Sequence, residues 1–265
     1  MNFECAEKSE KMDKVLIHDI CYYQGDLTKY WSLFKAKGCK AIIIQSSNGL
    51  AYQNYYKETI KIAKDLGFLV GSYHYYRQHI NNREGSWIAC SPIQQAENYF
   101  NWTDKANVEL DLPPILDIEN GGNPQGVGYS AITTCLKHIE RLFGRIPMIY
   151  SSPSILGGLA KPGWERYPLW LAHYTTEEKI MIPKPWTKWT FWQFSDRITY
   201  TPAGSTAKKP IDHNWFNGSF SDLKKFITAT GGNPTTPVPP PAVKPDIADL
   251  RSRINKAVDD WAKTI

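Results

Sequence analysis

Eight short runs rich in β-branched and aromatic residues punctuate the chain between Val15 and Phe216, and stretches of helical periodicity separate the early ones. Few folds accept that alternation. The runs are Val15 to Ile20, Ala41 to Ser46, Phe68 to Tyr76, Pro114 to Glu119, Pro147 to Ser152, Pro168 to Tyr174, Thr190 to Ser195 and Ile211 to Phe216. Several are apolar almost throughout, as strands of a parallel sheet covered on both faces must be. Between them, Leu27 to Lys37, Tyr52 to Leu66, Pro92 to Lys105 and Tyr129 to Phe143 carry helical spacing. In the second, Tyr52, Tyr55, Tyr56, Thr59, Ile62, Ala63 and Leu66 make an apolar stripe, and Gly38, Gly67 and Gly144 follow three of the helices as C′ residues.

This pattern predicts βαβ units. After Tyr174 it changes: Thr175 to Trp189 and Asp196 to Pro210 are rich in Pro, Thr and Lys and show no helical stripe. The fold class expected is therefore α/β, an incomplete (β/α)8-type barrel. Its helices fall mainly in the first five units, and its last strands are closer to antiparallel.

The expected domain plan has four parts. Residues 1–12 are a flexible extension, 13–232 the β/α barrel and 233–245 a spacer with six prolines in thirteen residues. Residues 246–265 form a C-terminal amphipathic helix whose Ile247, Leu250, Ile254, Ala257 and Trp261 fall on one seam. Twenty residues are too few to fold alone, so self-association through this seam is favoured, with docking on the barrel as the alternative.

Hydrophobic residues at 42% and charged residues at 22% exclude wholesale disorder, and no apolar run is long enough to span a bilayer. The net charge of +5 comes without any Lys/Arg cluster, so neither nucleic acid nor membrane insertion is expected. Five scattered cysteines with no CxxC pair read as mostly reduced and buried. The opening MNFECAEKSEKM lacks the apolar core of a secretion signal, which points to synthesis and residence in a cytoplasm. Ten Trp, fifteen Tyr and ten Phe suit a core, which must take most of them, and their faces also suit stacking against sugar rings or bases.

The chemistry concentrates in ILDIEN. Asp117 and Glu119 stand two apart at the end of an apolar strand, so both face one side while Leu116 and Ile118 face the helices. Barrel enzymes carry their catalytic groups at the C-terminal strand ends, and two neighbouring acids raise each other's pKa, which keeps a proton available. Taken alone, such a pair serves as often to bind a loop amide or a lysine. Two further acids lie in apolar strands, Asp19 in the first and Asp212 in the eighth, where an unpaired charge is costly. An Asx turn before Asn214 is the bland alternative for Asp212. First and last strands meet when a barrel closes, so Asp19, Asp117, Glu119 and Asp212 are expected to converge. Carboxylates ringed by aromatics are the apparatus of glycoside hydrolysis. A divalent cation is the competing use, but the acid-rich loop or His–carboxylate spacing it needs is missing. No cofactor or metal is expected.

With these pieces in order, the chain resembles the glycoside hydrolase family 25 lysozymes, the N-acetylmuramidases common in phage endolysins. The resemblance runs from Leu16 to Ser219 through HDICYYQGD, AIIIQSSNG, GSYHYYR, LDIE, MIYSS, LWLAHY, FWQFS and IDHNWFNGS. It implies cleavage of the β-1,4 bond between N-acetylmuramic acid and N-acetylglucosamine in bacterial peptidoglycan. An endolysin would be held in the host cytoplasm until a holin opens the membrane. By position, Glu119 is similar to the family's general acid. Asp117 and Asp19 are similar to the carboxylates that orient the N-acetyl group or the attacking water, and Asp212 to the late active-site Asp. Tyr73, Tyr75, Tyr150, Trp170 and Gln193 match groove positions, and Tyr73 and Trp170 in particular are expected to hold sugar rather than fill the core. His18, Cys21 and Ile44–Ser46 depart from the family pattern. His74 and His173 read as satisfied strand histidines rather than bases. Two other readings stay open: a chitinase-like glycosidase, and a non-catalytic wall-glycan-binding barrel.

Overall fold

The computed structural model describes residues 14–81, 87–120, 128–206 and 208–233. The extension and the C-terminal helix lie outside these residues, as does the proline spacer beyond Asn233.

Eight strands close on themselves. They are β1 (Val15–Ile20), β2 (Ala41–Asn48), β3 (Leu69–Tyr75), β4 (Ile115–Asp117), β5 (Met148–Ser151), β6 (Leu169–Ala172), β7 (Phe191–Tyr200) and β8 (Lys209–Phe216). Each falls on one of the eight expected runs. From β1 to β7 every neighbour pairs in parallel. The eighth strand runs antiparallel to both β7 and β1, and so completes the ring. The change of direction has a local cause. No helix intervenes between β7 and β8, and a chain that turns back without a crossover pairs antiparallel.

Helices α1 (Trp31–Ala36), α2 (Tyr56–Asp65), α3 (Pro92–Asp104), α4 (Tyr129–Phe143) and α5 (Pro153–Leu159) follow the first five strands. Their apolar stripes face the sheet: Ile132, Cys135, Leu136 and Ile139 of α4 pack on Leu116, Ile118 and Ile149. Gly144 then takes the left-handed conformation that ends α4. One expected helix begins late. Tyr52 pairs with Ser47 across a tight turn at Gly49, so Tyr52 is half-exposed in a two-residue strand and α2 starts only at Tyr56.

Alternation along the strands sorts the barrel interior into layers. The floor is apolar, made of Val15, Ala41, Leu69, Phe191 and Phe216. A sixth helix, α6 (Phe220–Ala229), closes this end with Leu223 and Ile227, both fully buried in the same cluster. Two residues further toward the other end the inward positions are Ile17, Ile43 and Gly71 on β1 to β3 but already Gln193 and Asn214 on β7 and β8, and beyond them the lining is polar throughout. There Asp19, Gln45, Tyr73, Asp117, Tyr150, Gln193 and Asp212 surround an open cleft at the C-terminal ends of the parallel strands.

Candidate active site

The cleft encloses roughly 590 Å³. Asp19 reaches it from the end of β1 and Asp117 from the end of β4, with Glu119 two residues beyond. Asp212 arrives from the beginning of β8. Because β8 runs the other way, its start lies at the same barrel end as the finish of β1, and Asp212 sits directly across from Asp19. The four acids expected to converge therefore line one cleft.

Asp19 is held by a chain of donors whose direction is forced. The Trp170 indole N–H can only donate, and it donates to Asn214 Oδ1 at 2.7 Å. The Asn214 amide must then turn its Nδ2 to Asp19 Oδ1, at 2.7 Å. On the other side the Tyr150 and Tyr174 hydroxyls both donate to Gln193 Oε1 at 2.8 Å, which turns Gln193 Nε2 to the same Asp19 oxygen at 3.0 Å. Two donors on one oxygen favour the anion. Burial works against them and lifts Asp19 to about 6.

Asp212 hydrogen-bonds Asp19, and burial together with that neighbouring charge lifts it to about 9. The pair thus shares one proton at neutral pH. Asp212 keeps it, because Asp19 alone has the two amide donors.

Asp117 is 4% exposed, and its Oδ1 has no hydrogen-bond partner among the described residues. A buried carboxylate oxygen left unpaired is costly, so it calls for a donor from the cleft. Burial, then Glu119, then Asp19 push Asp117 well above the usual carboxylate range. Glu119 is less enclosed. Burial and Asp19 raise it too, while the Arg77 guanidinium opposes them. A carboxyl shifted toward its protonated form while open to the cleft suits general acid catalysis.

All five expected groove residues border the cleft, but unequally. Tyr75 is half-buried, whereas Tyr73 and Tyr150 are each 8% exposed, Gln193 2% and Trp170 1%. Trp170 packs edge-on to Tyr150 and Phe191 in the barrel interior, so it supports the cleft floor instead of offering a stacking face as expected. His74, on β3, is satisfied by Ser47 and Gln95 as expected of a strand histidine, whereas His173 lies one residue past the end of β6, where its Nδ1 accepts from Met181 N. Four free cysteines are described, and all but Cys21 are buried.

Arg77, Asn48, Tyr174, Asp196 and Asn214 were not expected at the site. The first four line the cleft and Asn214 lies behind Asp19. The sequence signal for Asn214 was there, two residues after Asp212 on the same inward face. Past Glu119 the groove continues into a second hollow of roughly 430 Å³, bordered by Ser152, Pro153, Ile155, His173 and Met181. Glu119 therefore stands midway along an open trough, which suits a polymer entering from either end.

A closed β/α barrel with a proton-retaining carboxylate cluster in a trough at its C-terminal face is the architecture of a glycoside hydrolase. The chain belongs to glycosyl hydrolases family 25, whose model matches residues 18–201. Among solved structures it is similar to a muramidase from Trichobolus zukalii, at 25% identity and TM-score 0.64, covering 82% of this chain and 100% of that one. A family GH25 lysozyme from Aspergillus fumigatus gives 26% identity and TM-score 0.62, over 81% of this chain and 99% of that one. Among curated proteins it is similar to YegX of Escherichia coli K12, 26% identical over 174 residues, 65% of this chain. That match spans only 57% of the length of YegX.

Proposed function

We propose that this chain hydrolyses bacterial peptidoglycan at the β-1,4 bond between N-acetylmuramic acid and N-acetylglucosamine, with Glu119 as general acid. The observation that carries the reading is the set of four carboxylates around one trough, with Glu119 raised by burial and open to the cleft. Glu119 gives its proton to the glycosidic oxygen as the bond breaks. Asp117 offers its unpaired oxygen to the substrate's N-acetyl N–H or to the attacking water. Asp19, fixed by Asn214 and Gln193, stabilises positive charge that develops at the sugar ring. Family membership and the likeness to a muramidase and a lysozyme support the choice of wall polymer.

The test is loss of turbidity from purified cell walls, followed by identification of the new reducing ends. Muramic acid ends are expected. Glucosamine ends would make the chain an endo-glucosaminidase, and walls that bind the protein but gain no ends would make it a binding module. The finer role proposed is that of a phage endolysin acting from the cytoplasm. Cells producing it are then expected to lyse only after the membrane is permeabilised, and lysis without permeabilisation overturns that role.

A further inference from the structure

Arg77 follows β3 and is more firmly positioned than a groove-edge arginine needs to be. The fully buried Gln95 of α3 grips its backbone twice, Oε1 accepting from Arg77 N at 2.9 Å and Nε2 donating to Arg77 O at 2.7 Å. The aliphatic stem lies against Gly49. A Cβ there would stand 3.0 Å from Arg77 Cγ and 3.2 Å from its Cβ, so the stem uses the space that only glycine leaves. Arg77 Nε donates to Asn48 Oδ1 at 2.8 Å, and the guanidinium carbon sits 4.8 Å from the centre of the Tyr75 ring.

Every one of these partners is neutral. Asp19, Asp117, Glu119, Asp196 and Asp212 line the same cleft, yet Arg77 forms an ion pair with none of them. An arginine serving only to neutralise the acid cluster would be drawn into contact with a carboxylate. This one is held back by its stem, its backbone and Asn48, with its planar fork bordering the trough. That fork matches a carboxylate in two-point contact.

We propose that Arg77 recognises a carboxylate carried by the substrate, on the 3-O-lactyl substituent of the muramoyl residue or on the stem peptide attached to it. The assignment rests on the muramidase reading and gives it a specificity determinant: an acidic glycan is preferred over a neutral one of the same backbone. The acids of the cleft would otherwise repel such a ligand, and a cation set apart from them removes that penalty locally.

The experiment compares three glycan strands at each enzyme's own optimum pH: peptide-free strands with free lactyl carboxylates, the same strands with those groups converted to methylamides, and strands bearing intact stem peptides. A hydrogen bond between charged groups contributes about 1.5–3 kcal/mol, about 10- to 100-fold in affinity. Arg77→Gln is expected to raise KM on strands carrying the recognised carboxylate by about that factor more than on the methylamide strands, any change in kcat being common to both. Arg77→Lys should recover part of the loss, since it keeps the charge without the fork. A penalty on the lactyl strands alone supports the lactyl source, and a penalty on both acidic strands shows that Arg77 takes either carboxylate. A penalty confined to peptide-bearing strands supports the same chemistry with the stem as source. Equal losses on acidic and methylamide strands, in a variant that melts normally, overturn the assignment and leave the muramidase reading standing. A wild-type chain that cuts none of the three overturns that reading, and this assignment with it.

Discussion

Glu119 and Asp117 divide the work through their surroundings. Both are raised, but Glu119 faces the trough with part of its surface open, whereas Asp117 is enclosed with one oxygen waiting for a donor. Glu119→Gln keeps the shape and removes the transferable proton. The lytic rate should fall by about 10²–10⁴-fold while the melting temperature holds, and a variant with near-normal lysis would remove Glu119 from the mechanism. Asp212 invites a different measurement. Its pKa in the folded chain, about 9, lies above that of an unfolded carboxyl, so the folded state binds the proton more tightly. Its contribution to stability is complete below about pH 4 and disappears as the pH rises through its folded value. Denaturant unfolding followed from pH 5 to pH 9 should therefore show wild-type stability falling more steeply than that of Asp212→Asn. Parallel curves would mean that the proton is not held where the geometry puts it.

β1 and β8 place two clusters back to back. On their inward face Asp19 meets Asp212. On the outward face His18 is the cross-strand partner of His213, and the Tyr200 hydroxyl lies 2.9 Å from His18 Nε2 and 3.1 Å from His213 Nε2. Burial, then the charge of His213, lowers His18 to about 3. This shift has the opposite sign to that of Asp212: the histidine must be neutral to stay folded, so its contribution is present above its unfolded value near 6.5 and is lost as the pH falls towards 3. At the far end of the barrel, α6 works as a plug. Leu223 is fully buried against the floor residues, and Leu223→Ala should cost about 2–5 kcal/mol in a denaturant titration with little change in rate per folded molecule. Trp170→Leu should also melt early, because it removes a packed indole and the donor that orients Asn214. Weakened binding of wall fragments at unchanged melting temperature would instead mean that Trp170 is a sugar contact after all.

The whole chain adds a segment beyond Gly232 to the barrel, and we propose that its apolar seam from Ile247 to Trp261 joins copies of the protein. Two barrels on one polymer would bind more tightly without any new contact at the trough. Sedimentation of the full chain beside a chain ending at Gly232 decides this: an oligomer only for the full chain is expected, and two monomers at equal concentration would end the idea.

What was legible in the sequence follows from locality. A strand's inward and outward faces are set by a period of two and a helix's buried stripe by its turn, so the eight strands, four of the helices and the inward direction of Asp117 were readable from neighbouring residues alone. α5 was missed because Gly157 and Gly158 dilute its helical signal, although Pro153 marks its start. α6 does carry a start signal, the Ser219–Asp222 capping box, just beyond the last expected strand. The donor chain on Asp19 had no such local trace. Asn214 and Asp19 are 195 residues apart and become partners only because β8 reverses direction and closes on β1. Nor do the raised carboxyls belong to any residue by itself, since they arise from water excluded by a closed barrel and from charges brought together by it. By itself the sequence determined which side chains point inward. Which of them meet, which hold a proton and that Trp170 lies beneath the cleft instead of in it were decided by closure of the ring, because those properties depend on distances through space that no spacing along the chain records.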